Sequence, residues 1–159
     1  MIGPALNKLR VFNLYSPLRL TLGQSVGIDF ADVARKNCIV LVPLKTGLLG
    51  AETAALIGSL VLAAVWQTAL ARASLPKDQR RPVWMYLDEF QQVVRLPIDL
   101  ADMLAQARGF GLGLAHQHLG QLSPEVKTAI LSTTRSQLIF QVESHDATEL
   151  APRFAPLMS

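Results

Sequence analysis

What most constrains this chain is its alternation of two kinds of apolar segment. The runs CIVLVPL at 38–44 and VWMYL at 83–87 are continuous, rich in β-branched or aromatic residues and too short for a typical helix. Such runs read as strands buried on both faces. Between them, residues 52–73 form an apolar stretch of helical length, closed by Arg72. Further on, a glycine-rich strand is predicted at 112–115 and a last strand at 137–142. Helices are predicted at 98–108, at 124–132 and from His145 onward. Strands that alternate with helices imply an α/β fold with a parallel sheet and right-handed crossovers, here about four strands flanked by helices.

Ahead of the first run, residues 4–23 read as two short amphipathic helices broken at Ser16 and Pro17, because proline is tolerated at a helix start and not inside. Asp29 is placed to cap another short helix reaching Lys36. Residues 1–36 are therefore a helical lead-in and 37–159 the sheet-bearing domain.

With 159 residues, half of them hydrophobic, the chain is large enough for one domain with a buried core. Low charge content and separated apolar runs argue against disorder. The net charge of +3 is compatible with an anionic partner but does not define one. Lys77, Arg80 and Arg81 fall in a polar linker, where a solvated loop is the simplest reading. Cys38 is the single cysteine, which excludes an intramolecular disulfide and any cysteine-based metal site. Residues 1–10 carry no apolar core followed by a small-residue cleavage site, so no signal peptide is read. The stretch 54–71 contains Ser59, Gln67 and Thr68 and falls short of the roughly 20 apolar residues of a spanning helix. It reads as a core helix over a sheet, with no membrane span.

Chemistry in open parallel sheets collects beyond the carboxyl ends of the strands. Here VWMYL runs straight into Asp88 and Glu89, and the strand at 112–115 leads to His116, Gln117 and His118. A strand that ends in two carboxylates holds them at a rigid edge. One can bind Mg²⁺, a hard ion that favours carboxylate oxygen and retained water, while the other orients and deprotonates an attacking water.

The strings YLDEFQ, LADMLAQARGFGLGLAHQHLGQL and TRSQLIFQVESHDATELAPRF resemble the C-terminal half of ATPases of the HerA/FtsK superfamily, above all the TraG/TraD-like coupling proteins of type IV secretion. Upstream, LNKLRVF, LGQS and LKTGLLG are similar to the segment that precedes Walker B in that group. The resemblance implies a partial RecA-like core in which Asp88 is the Walker B metal ligand, acting through water, and Glu89 the catalytic base. It further implies that Gln117 is the sensor of the γ-phosphate or lytic water. Arg108 is then an arginine finger reaching a neighbouring subunit's nucleotide, with Arg135 in reserve. ATP and Mg²⁺ are the implied cofactors, and a hexamer the implied assembly. DNA or a secretion substrate is the implied cargo, with secretion-channel proteins as further partners. The implied location is the cytoplasm, at the inner face of the cell membrane in the complete protein.

The chain departs from that pattern in its span from Arg108 to Gln117, a couple of residues short of the family's usual run, and in a second, larger respect. It contains no G-x-x-x-x-G-K-[ST] phosphate loop, and in LKTGLLG the lysine and threonine precede the glycines instead of following them. The expected role is thus half of a motor, with negligible turnover alone. Without the central strand that feeds a phosphate loop, strand edges are exposed, which predicts a rearranged strand order or association through the open edge. Two rivals stand beside this reading. One is a pseudo-ATPase or remnant that binds a partner protein or DNA. The other is a metallohydrolase built on His116, His118, Asp88 and Glu89.

Overall fold

The computed structural model describes residues 15–76, 79–93 and 110–154. Along the chain these form α1 (Ser16–Leu22), α2 (Phe30–Lys36), α3 (Thr46–Leu49), α4 (Ala51–Ala73), β1 (Val83–Leu87), β2 (Phe110–Leu114), α5 (Pro124–Thr133) and α6 (Ser144–Phe154). Two 3₁₀ turns, Phe90–Gln92 and Leu119–Gln121, follow the two strands. The predicted helix at 98–108 and the first helix of the lead-in fall outside the described residues.

Local chemistry accounts for most of these boundaries. Pro17 occupies the first turn of α1, where its missing N–H costs nothing. The Asp29 carboxylate accepts from the N–H groups of Ala31 and Asp32 and so starts α2. Asn37 ends that helix in the left-handed region, φ 55°. Gly50, with φ 78°, turns the chain from α3 into α4, a backbone conformation that a side chain resists. Ser123 caps α5, and Pro124 follows in its first turn.

α4 is the spine of the molecule. By length and composition it could cross a membrane, yet Ala54, Ala55, Ile57, Ser59, Leu62 and Ala69 are buried within the protein. α2 and α3 both lie against it, and Tyr15 Oη donates to the Leu49 carbonyl at 2.9 Å. Gly58 is where α4 meets the loop after β1. A Cβ there would come within 2.5 Å of Val93 Cγ1 and 2.7 Å of Leu44 Cδ1, so any larger residue forces these side chains to shift. The adjacent Ser59 hydroxyl donates to the Val93 carbonyl and anchors the same loop.

β1 and β2 pair in parallel, from Val83 opposite Phe110 to Leu87 opposite Leu114. Met85, Leu87, Leu112 and Leu114 pack on a core of Leu62, Phe90, Leu119, Leu122, Ile130 and Leu150, joined by Trp66 and Phe154. The opposite face is uncovered by the described residues. There Trp84 and Tyr86 stack with their rings 6.4 Å apart, over Gly111 and Gly113 of β2. A Cβ at those glycines would meet the rings at 2.2 Å and 2.6 Å.

The sheet has two strands among the described residues, where the sequence predicts about four. Residues 38–44 and 137–142 belong to no strand and make no ladder hydrogen bonds among the described residues. Both keep the period-two signature of a strand: Ile39 and Leu41 are 90% and 85% exposed, and Leu138 and Phe140 are 90% and 86% exposed, while Val40 and Ile139 between them are better covered. A β-branched apolar run selects extended backbone. A ladder also needs an adjacent strand presenting its N–H and C=O groups, and neither run has one among the described residues. β2 begins at Phe110, two residues before the predicted start, because Trp84 and Tyr86 lie across the glycines and make them strand positions. Within the predicted loop 45–50, the chain forms the single helical turn α3.

Candidate functional site

The carboxyl ends of β1 and β2 are held together beyond the last residues of the strands. Ala115 N–H donates to the Leu87 carbonyl at 2.9 Å, and Phe90 N–H donates to the Ala115 carbonyl at 3.2 Å. These two bonds clamp the turn carrying Asp88 and Glu89 to the segment that leads into Gln117. Phe90, fully buried, is the apolar anchor of the turn. Its ring meets the His116 ring edge-on at 5.7 Å.

Asp88 is exposed, and its Oδ1 accepts from the Glu89 N–H at 3.0 Å. Glu89 adopts the left-handed conformation, φ 47° and ψ 45°. For a residue with a side chain this costs about 1–2 kcal/mol. The kink separates two demands that a straight strand cannot meet in successive residues: Phe90 enters the core while Glu89 stays at the rim. Glu89 Oε2 accepts from Gln91 Nε2 at 2.7 Å.

On the β2 side, Gln121 organises the loop. Its Oε1 accepts from the backbone N–H groups of Gln117 at 3.2 Å and His118 at 3.4 Å, and from Gln91 Nε2 at 3.2 Å. In return the His118 ring accepts from the Gln121 N–H, a reciprocal cap of the 3₁₀ turn. Leu119 N–H donates to the buried Asp146 carboxylate at 2.9 Å, tying this turn to the start of α6.

The structure thus gathers Asp88, Glu89 and the backbone of Gln117 into one hydrogen-bonded rim. Arg108 lies outside the described residues. Arg135 is exposed on the connection from α5 to α6 and makes no hydrogen bond or ion pair with a described residue. The two histidines of the metallohydrolase reading are engaged elsewhere, His116 against Phe90 and His118 in its cap. Among the described residues no three of His, Cys, Asp and Glu converge as a metal cage. Gln91, Gln121 and Asp146 are site-building residues that the sequence reading passed over. Only Gln121 carried a signal, the S/T-x-x-Q-like spacing from His118, with histidine in the capping place.

Carboxylates and amides thus collect beyond the carboxyl ends of two parallel strands in a mixed helix and strand domain of α/β type. A family model described as the type IV secretion-system coupling protein DNA-binding domain matches residues 39–154. The chain belongs to that family. Comparison with curated proteins and with solved structures returned no match.

Proposed function

We propose that this chain supplies the Walker B half of a nucleotide site in a HerA/FtsK-type secretion-coupling motor. The observation that carries this reading is the Asp88–Glu89 turn clamped to the Gln117 segment, in a chain of the coupling-protein family. Asp88 would hold Mg²⁺ through water, and the donor fits: an exposed carboxylate with only Oδ1 engaged among the described residues. When bound, the ion offsets phosphate charge. Glu89 takes the proton of the attacking water. Gln117 senses the γ-phosphate, and Arg108, or in its place Arg135, reaches a neighbouring subunit's nucleotide.

The glycine-rich loop that would cradle the phosphates has no counterpart in this sequence. It comes from a polypeptide segment other than these residues. In the complete domain, residues 37–159 form a partial RecA-like core and the segments at 38–44 and 137–142 become strands. The assembled motor is a hexamer that moves DNA or a secretion substrate.

The test is Mg²⁺-dependent ATP hydrolysis by this chain combined with a coupling-protein segment that bears the phosphate loop. Hydrolysis is expected from the mixture and not from either part, with Glu89→Gln lowering it by about 10²–10⁴-fold. Micromolar ATP binding by this chain alone, or full activity in Glu89→Gln, sinks the reading. A second reading, an interaction module that binds DNA or a partner protein without turnover, draws on the family's DNA-binding description and the missing loop. It is favoured if DNA binding survives Asp88→Ala/Glu89→Ala and no mixture hydrolyses ATP.

A further inference from the structure

The carboxylate at the end of β1 and the loop after β2 share one side-chain bridge. Gln91 presents a single NH₂ group between two acceptors, Glu89 Oε2 at 2.7 Å and Gln121 Oε1 at 3.2 Å. An amide turned the other way would set its carbonyl oxygen against a carboxylate and a second carbonyl, so the acceptors dictate one orientation. The fold accepts a cost for this: Gln91 Oε1 is buried without a partner among the described residues. Gln121 Oε1 in turn also holds the N–H groups of both Gln117 and His118. The turn carrying Gln121 is fixed from behind by buried Leu119 and its bond to Asp146.

We infer that Gln91 and Gln121 are positioning residues that relay the state of the Glu89 carboxylate to the backbone of Gln117 and His118. Gln91 pins a carboxylate whose own backbone is strained. Gln121 holds the two residues that follow β2 on the same oxygen that receives Gln91. Displacing Glu89 towards a ligand therefore releases one hydrogen of the Gln91 NH₂, shifts the amide, and loosens or re-aims the 117–118 peptide groups. The relay gains its catalytic meaning from the reading that Glu89 and Gln117 flank a reacting phosphate, but the coupling exists without nucleotide.

The bland alternative is that Gln121 only caps its 3₁₀ turn. Backbone and side-chain amide resonances of the ¹⁵N-labelled full chain separate the two. Glu89→Ala is expected to move the Gln91 side-chain amide pair and the backbone amides of Gln117 and His118 by more than a line width, while Leu62 and Ala54 in α4 stay in place. In a Gln91→Met background the same Glu89→Ala change leaves Gln117 and His118 unmoved. Gln121→Glu keeps an acceptor of the same reach and retains the coupling, whereas Gln121→Leu abolishes it. The relay is overturned if Glu89→Ala leaves both amides in place in the otherwise unaltered chain, or moves them equally when Gln91 is Met. Should Gln91→Met fail to fold, the Gln121→Glu and Gln121→Leu pair decides alone, and equal coupling in both overturns the relay. ATP binding by this chain alone would end the half-site reading and leave these shifts untouched.

Discussion

Phe90 is the residue on which the rim and the core both depend, and Phe90→Ala is expected to be the most damaging single change near the site. The ring is fully buried and belongs to the cluster of Leu62, Leu119, Leu122, Ile130 and Leu150. Removing it forfeits its transfer free energy and leaves a cavity, together about 3–5 kcal/mol. The edge contact with His116 is part of that loss. Tyr86, two residues before the turn on β1, provides the internal control. It is 75% exposed, so roughly a quarter of an aromatic area of about 200 Å² is at stake. At about 25 cal/mol per Å² this is about 1 kcal/mol. Urea unfolding followed by far-ultraviolet circular dichroism measures both. With a slope near 2 kcal/mol per molar urea, Phe90→Ala lowers the midpoint by about 2 M and Tyr86→Ala by about 0.5 M. Equal shifts for the two variants would refute the assignment of Phe90 as the anchor of the Asp88–Glu89 turn.

Gly58→Ala places a methyl against Val93 and Leu44 and is expected to destabilise by about 1–3 kcal/mol. Val93→Ala in the same chain recovers part of that loss, and additive midpoints in the double variant count against the contact. Asp29→Ala removes the α2 cap and costs about 1 kcal/mol, read as faster amide exchange confined to residues 30–36. Asp32 has its carboxyl held below the ordinary range, first by the hydrogen bond from Lys36 and then by Arg35, and Lys36 is raised by the same bond. Because the folded value of Asp32 is depressed, its contribution is present above the ordinary carboxylate range and is lost as pH falls through the lowered value. The Lys36 contribution is complete at neutral pH and is lost as pH rises through its elevated value. Amide protection of α2 is expected to fall on the acid side in the natural chain and to lose that acid dependence in Asp32→Asn.

Local patterns were legible where one segment decides its own conformation. VWMYL is a strand at the residues predicted, and Asp29 caps the helix it was expected to cap. The Asp88–Glu89 pair stands at the strand end because the polar residues interrupt an apolar run there. What escaped the reading depends on distant partners. The two extra residues of β2 follow from aromatic rings on β1 lying over Gly111 and Gly113. Gln91 and Gln121 lie 30 positions apart and meet only through the clamp between the strand ends. Asp146 reads as an ordinary acidic residue in a helix's first turn until the chain brings Leu119 to it. Residues 38–44 and 137–142 carry the apolar pattern of strands, yet pairing is a property of the neighbours and not of the run.

The open sheet face also gives the protein a way of reporting on itself. The chain has two tryptophans, Trp66 packed against the core and Trp84 two-thirds exposed beside Tyr86. Their indoles emit from different surroundings, one largely dry and one in water, so the natural fluorescence has a blue and a red component. Anything laid over Gly111 and Gly113 dries the second indole and leaves the first unchanged. A blue shift that vanishes in Trp84→Phe would therefore mark coverage of this face in solution, with no dye attached and no partner identified beforehand.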